Sequence, residues 1–70
     1  MKRYEIYEID RSFLTNVIIR KELVYASNDH EAAINELKTL NITNEKWFRK
    51  YAMVVRQLGE VCSVHQFYLN

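Results

Sequence analysis

The residues best suited to catalysis or metal binding in this 70-residue sequence are its one cysteine and two histidines. A thiolate nucleophile needs a base within hydrogen-bond reach, and His65 follows Cys62 by three positions in a segment typical of a strand. An odd separation on a strand places two side chains on opposite faces, so the pair does not form a dyad. His30 is far away in the sequence, and these residues lack the spacing of a zinc site. We therefore expect no catalytic residue and no metal ion.

The composition also excludes the common cofactor-binding loops. Phosphate-binding loops and the nucleophile elbow of serine hydrolases need several glycines, whereas this sequence has one glycine and no proline. The acidic residues are dispersed, and most of them stand beside a basic residue, so no pair for general acid–base catalysis is visible. The sequence thus predicts a protein that is not an enzyme, with no cofactor and no evident small-molecule substrate.

The strongest charge pattern lies in residues 43–58, where four basic residues accompany one acidic residue. If this segment is helical, its basic side chains share an exposed face that could contact phosphate or an acidic protein surface. The formal net charge of the whole chain is only +1, which makes nucleic-acid binding the alternative rather than the first hypothesis. The candidate macromolecule-binding residues are Lys46, Arg49, Lys50 and Arg56.

Aromatic residues form 13% of the chain, and part of them must belong to the core. Helices on one side of a sheet would leave its other face uncovered, and exposed patches rich in tyrosine are typical of interfaces. A core of this size supplies little net stability, and a lone cysteine excludes an intrachain disulfide, so oligomerisation is the expected supplement. We predict a homodimer whose candidate interface aromatics are Tyr4, Tyr7, Tyr25 and Tyr68.

Hydrophobic periodicity predicts the elements that position these residues. Alternation indicates strands over residues 2–10 and 17–26, joined by a wide loop, and a further strand over 60–69. Helical spacing indicates a helix over 29–40, with Asn28 as its N-cap and Asn41 at its end. In the second strand, alternation places one set of apolar residues on a common face: Val17, Ile19, Leu23 and Tyr25.

Residues 43–58 have two interpretations. Apolar residues at spacings of three, four and seven, among them Trp47, favour a second helix that ends at Gly59. The competing interpretation is a strand over 47–58 that turns at Gly59-Glu60. The predicted fold is therefore α+β in the order β-β-α-α-β, a three-stranded, mainly antiparallel sheet with two helices on one face. The alternative order is β-β-α-β-β, with four strands and one helix.

The length predicts a single domain over residues 1–70. The sequence shows no secretory-signal pattern and no apolar stretch of membrane-spanning length, and a lone cysteine suits a reducing compartment, so we expect a cytoplasmic protein without a membrane partner. The resulting hypothesis is a small intracellular protein-interaction module that self-associates and binds a protein partner that the sequence does not identify. Such a module also suits a phage or mobile-element protein that inhibits or modulates a host complex.

Overall fold

The computed structural model describes residues 1–12, 14–57 and 64–69. Within these residues the sheet has four strands in the order β2-β1-β3-β4, and all neighbouring strands are antiparallel. The elements in chain order are β1 (Lys2–Arg11), β2 (Ile18–Ser27), α1 (His30–Thr43), β3 (Arg49–Gln57) and β4 (Val64–Leu69).

The α+β class and the antiparallel sheet are confirmed, whereas the second helix predicted over residues 43–58 is wrong. Arg49–Gln57 forms strand β3, so the element order is the alternative, β-β-α-β-β. β3 lies inside the sheet between β1 and β4, and the adjacent residues Val54 and Val55 are only 2% and 7% exposed. A strand that is buried on both faces does not alternate between apolar and polar residues, and its sequence therefore resembles a buried helix. The predicted turn at Gly59 lies outside the described residues.

Two β-bulges change the faces of β2. Val24 and Ile19 are extra residues without a direct partner on β1. Because each bulge shifts the alternation by one residue, the prediction of a common face for Leu23 and Tyr25 is wrong. Tyr25 lies opposite Ile6 on one side of the sheet, and Leu23 lies on the other side.

Helix α1 confirms the predicted helix but begins and ends later than the sequence indicated. Its N-cap is Asp29, whose carboxylate accepts a hydrogen bond from the Glu31 N–H at 3.1 Å, so the predicted cap at Asn28 is one residue early. The predicted end at Asn41 is also wrong, because the helix continues to Thr43. The Asn41 side chain instead donates to the Leu37 carbonyl oxygen at 3.1 Å within the helix.

One side of the sheet, which we call the helix face, packs against α1. Ala33 and Leu37 of the helix form a buried cluster with Ile6 of β1 and Met53 of β3. The cross-strand pairs show that Ile6 and Met53 share this face with Tyr51. The opposite side, which we call the outer face, carries the intervening residues of β1 and β3: Glu5, Tyr7, Ile9, Ala52 and Val54. Within the described residues, no helix has the length and apolar character needed to cross a bilayer.

Candidate functional site

A cluster of charged side chains lies on the helix face where β3 begins. Asp10 is directly opposite Arg49, and its carboxylate accepts two hydrogen bonds from that guanidinium, at 2.7 and 3.0 Å. Glu8 is opposite Tyr51, whose hydroxyl donates to its Oε1 at 2.9 Å. Arg20 of β2 binds Glu8, Asp10 and Glu22. We call these residues the acidic cluster: Glu8, Asp10, Arg20, Glu22, Arg49 and Tyr51.

The contacts within the acidic cluster lower the pKa values of two of its carboxyl groups, Glu8 and Asp10. The hydrogen bonds from Arg49 hold the pKa of Asp10 below its ordinary value, although burial opposes them. Burial raises the pKa of Glu8, but hydrogen bonds from Tyr51 and Arg20 outweigh this effect and leave the pKa lowered. Burial and the neighbouring Glu8 raise the pKa of Tyr51. None of these shifts brings a carboxyl group of the cluster towards neutral pH, so the arrangement suits structural ion pairing rather than proton transfer.

A second polar cluster lies on the outer face around Glu5. Its carboxylate accepts hydrogen bonds from Arg3 at 2.8 Å, from the Tyr7 hydroxyl at 3.0 Å and from Arg56 at 2.5 Å. Burial raises the pKa of Glu5, but the hydrogen bonds from Arg56, Arg3 and Tyr7 outweigh it, so the pKa lies below its ordinary value. This part of the outer face is therefore an ion-paired surface and not the bare tyrosine-rich face that the sequence suggested.

The four basic residues predicted to share a helical face do not lie together. Arg49 and Lys50 occupy opposite faces because they are consecutive on a strand. Arg56 lies near the other end of β3 and is bound to Glu5, whereas Arg49 is bound to Asp10. Lys46 precedes β3 in the connection from the helix. The predicted basic face is therefore wrong as a single surface, and of the four residues only Lys46 and Lys50 are exposed.

The predicted interface aromatics are likewise divided. Tyr4 and Tyr25 pack against the core cluster on the helix face. Tyr7 lies on the outer face, with the Lys21 ammonium 4.7 Å from its ring centroid. Tyr68 is paired with Met53 in the β3–β4 ladder. The sheet thus separates Tyr7 from Tyr4 and Tyr25.

The other residues that the sequence singled out for chemistry are not brought together by the described part of the chain. His30 is the first residue of α1 and is exposed, and its ring centroid lies 5.1 Å from that of Tyr4. Cys62 lies outside the described residues, and His65 belongs to β4. Among the described residues, no group of three or more His, Cys, Asp and Glu side chains could hold a metal ion.

Among the described residues, a run of exposed apolar side chains follows the edge strand β2, a feature that sequence analysis did not identify. β2 is at one end of the sheet, where β1 covers only one of its two backbone edges. Ile19 is 68% exposed and Leu23 is 44% exposed. An edge strand leaves every second pair of backbone N–H and C=O groups available to another strand. We call this surface the β2 edge, and its exposed apolar residues are Val17, Ile18, Ile19, Leu23 and Val24.

Trp47 forms a second prominent surface feature. The sequence placed it among the apolar residues of the predicted second helix, but its side chain is 73% exposed in the connection between α1 and β3. The ring stands edge-on to Phe48, with the centroids 5.7 Å apart and the planes at 89°. Open clefts of about 520 and 290 Å³ adjoin the tryptophan, and Lys50 lines both of them. We call this region the Trp47 cleft.

The fold and these surfaces define a small α+β protein with an apolar edge strand and an exposed aromatic cleft. No protein-family model, no curated protein sequence and no solved structure matches the chain.

Proposed function

We propose that this protein is a non-catalytic interaction module that self-associates by pairing the β2 edge with the β2 edge of a second copy. The observation that carries the proposal is the concentration of exposed apolar side chains on an edge strand. Unpaired strand edges are templates for strand addition, and proteins that do not use them usually shield them. Dimerisation would also extend the small core of a 70-residue chain.

Charge and apolar complementarity favour one register for this pairing. Two antiparallel copies of β2 related by a two-fold axis perpendicular to the sheet place directly opposite residues on the same face. With Lys21 on the axis, Arg20 faces the partner's Glu22. In the same register, Ile19 faces the partner's Leu23. Opposite charges and apolar pairs directly across a ladder both stabilise a sheet.

The neighbouring registers are disfavoured by like charges. A shift in one direction places Arg20 opposite the partner's Arg20, and a shift in the other direction places Glu22 opposite the partner's Glu22. In the favoured register Lys21 meets the partner's Lys21. Its ammonium, however, lies over the Tyr7 ring of its own chain, 4.7 Å from the centroid and towards β1. The two lysine charges are thereby drawn away from the axis.

The bulges at Ile19 and Val24 limit the length of the pairing. Between them, residues 20–23 are paired with β1 without irregularity. A bulge increases strand twist and bends the edge away, which discourages continued addition of strands. We therefore expect a short two-fold contact over residues 19–23, centred on Lys21, which gives a dimer rather than an open assembly.

Sedimentation equilibrium at tens of micromolar tests the proposal. The wild type should be a dimer, and Leu23→Lys should be a monomer because it sets a charge against the partner's Ile19. Ile42→Lys is the matched control, since Ile42 is also exposed but lies on α1. A monomeric wild type, or equal effects of the two variants, would contradict the proposal.

A mixing experiment tests the register itself. Ile19→Lys and Leu23→Glu should each abolish the homodimer. The Ile19–Leu23 pair occurs two times in the two-fold dimer, so each substitution places a charge opposite an apolar residue at both of these positions. Mixed together, they should form a heterodimer that has one Lys–Glu pair and one native Leu23–Ile19 pair. Failure of the mixture to associate, while the wild type dimerises, would refute this register but leave self-association intact.

A further inference from the structure

The Trp47 cleft combines an exposed aromatic ring with basic side chains that form no ion pair among the described residues. Within residues 1–12, 14–57 and 64–69, no ion pair is formed by Arg11, Lys46 or Lys50, all of which line the clefts beside Trp47. The acidic residue lining them is Glu45. These three cations differ from Arg49 and Arg56, whose guanidinium groups are bound to carboxylates.

The surroundings of Arg11 add a second observation. Its Nε is buried, and it has no acceptor among the described residues. Buried donors in native proteins nearly always have a partner, so the unpaired Nε of Arg11 favours the approach of an anionic acceptor to this cleft. Lys46 lines the other cleft, with its ammonium 5.7 Å from the Phe48 ring centroid. Positive charge is thus available in both clefts that adjoin the indole ring.

We propose that the Trp47 cleft binds a nucleobase together with its adjoining phosphate. The indole ring offers a stacking surface to the base, and Arg11, Lys46 and Lys50 offer charge to the phosphate. A mononucleotide and a single-stranded nucleic acid share this chemistry, whereas a duplex keeps its bases stacked on one another. The site is separate from the β2 edge and does not depend on the proposed self-association.

The exposed indole is a built-in probe, because Trp47 is the single tryptophan of the chain. Its fluorescence should be quenched saturably by an oligothymidylate, and the affinity should fall steeply between 50 and 200 mM salt. Thymidine monophosphate quenching at similar concentrations identifies a mononucleotide site, and quenching by the oligonucleotide alone identifies a single-stranded nucleic-acid site. Absence of quenching by both, or equal binding of the corresponding duplex, would overturn the proposal.

Variants distinguish a built site from general attraction to a charged surface. Lys50→Glu should weaken oligothymidylate binding at least tenfold. The matched control is Lys2→Glu, which makes the same change at an exposed residue paired with the last residue of β3. Equal losses in both variants would overturn the proposal.

Measuring the contribution of stacking requires a fluorescent label on the oligonucleotide, because the variant that tests it removes the tryptophan. By fluorescence anisotropy, Trp47→Ala should weaken binding about tenfold, because a stacked base contributes a factor of roughly 5 to 150. Unchanged affinity would show that Trp47 is not the binding surface. Leu23→Lys should bind as the wild type does, and loss of binding in that variant would refute the independence of the two sites.

Discussion

Asp10→Asn is the most informative test of how the sheet is held together. The substitution keeps the size of the side chain but removes its charge. Asp10 is 6% exposed, and its carboxylate accepts both hydrogen bonds from Arg49 and lies 3.4 Å from Arg20. Removing one partner of a buried ion pair lowers the free energy of unfolding by about 3–5 kcal/mol, because the other charge is left buried without a partner. Exposed ion pairs contribute only about 0–1 kcal/mol.

The expected loss for Asp10→Asn lies between these limits. Arg49 keeps a second carboxylate, Glu8, at 3.3 Å, and it remains 20% exposed, so it is not left uncompensated. The asparagine carbonyl oxygen also accepts one of the two hydrogen bonds. We therefore expect Asp10→Asn to lower the free energy of unfolding by about 2 kcal/mol, a large part of the ~3–5 kcal/mol typical of a domain this small.

Urea unfolding followed by far-UV circular dichroism measures this loss, and its pH dependence identifies its origin. The pKa of Asp10 is lowered in the folded protein, so its ionised form stabilises the fold above the unfolded-state pKa of about 4. That contribution disappears as the pH falls through the lower folded-state pKa. The difference in the free energy of unfolding between wild type and Asp10→Asn should therefore be greatest at pH 7 and become smaller in acid.

The matched control for this experiment is Glu45→Gln. It removes the same charge from an exposed residue that has no ion pair within the described part of the chain, and it should change stability by less than about 0.5 kcal/mol. A difference between wild type and Asp10→Asn that persists unchanged in acid would refute the electrostatic explanation. Equal effects of the two variants at pH 7 would show that the ion pair contributes nothing specific.

Three further substitutions test the core, the cap and the buried tyrosine. Leu37→Ala should cost about 2–5 kcal/mol, because Leu37 is fully buried, and thermal unfolding by circular dichroism should show little folded protein at 37 °C. Asp29→Ala should cost about 1 kcal/mol in urea unfolding and should speed amide exchange at Glu31, which loses its hydrogen-bond acceptor. Tyr51→Phe should cost about 1–2 kcal/mol, since Glu8 loses a donor. In ultraviolet titration the same variant should lack the tyrosine that ionises above the ordinary range in the wild type. A variant that behaves as the wild type does in these measurements would contradict the contact assigned to it.

Helix α1 could be predicted from the sequence because its signals are local. Apolar residues recur at helical spacing, and an acidic residue follows the cap. The cap itself was assigned to Asn28 instead of Asp29 because two good capping residues are adjacent, and only the backbone decides between them. The end of the helix was missed because an asparagine such as Asn41 can either stop a helix or bond back to the preceding turn.

β3 could not be recognised reliably because its surroundings, not its own residues, determine its pattern. Val54 and Val55 are both buried in a strand that lies between β1 and β4, and α1 packs on the face that carries Val55. No local rule shows which strand will occupy the middle of a sheet. The β2 edge was not predicted for the same reason. The apolar residues of β2 are also typical of a central strand, so the sequence does not show that β2 lies at the edge. The bulges at Ile19 and Val24 carry no glycine that would have marked them.

The candidate basic residues have two different roles in the folded protein: the arginines of β3 form ion pairs with β1, and the lysines remain available for binding. β1 supplies carboxylates, and β3 supplies arginines that reach them: Arg49 binds Asp10, and Arg56 binds Glu5. Arginine suits these contacts, because its planar fork can donate to both oxygens of a carboxylate. A slip of two residues between β1 and β3 would preserve the faces of the sheet but move Arg49 from its position directly opposite Asp10, so this pair favours the observed register.

That register also determines which basic side chains remain without an ion pair in the described residues and are available to bind a ligand at the Trp47 cleft. Alternation turns Lys50 away from the carboxylates that hold Arg49. Lys46 lies outside the ladder, in the connection that displays Trp47. Neutralisation of the arginines by β1 therefore explains why a chain with a net charge of only +1 can still present concentrated positive charge at one cleft.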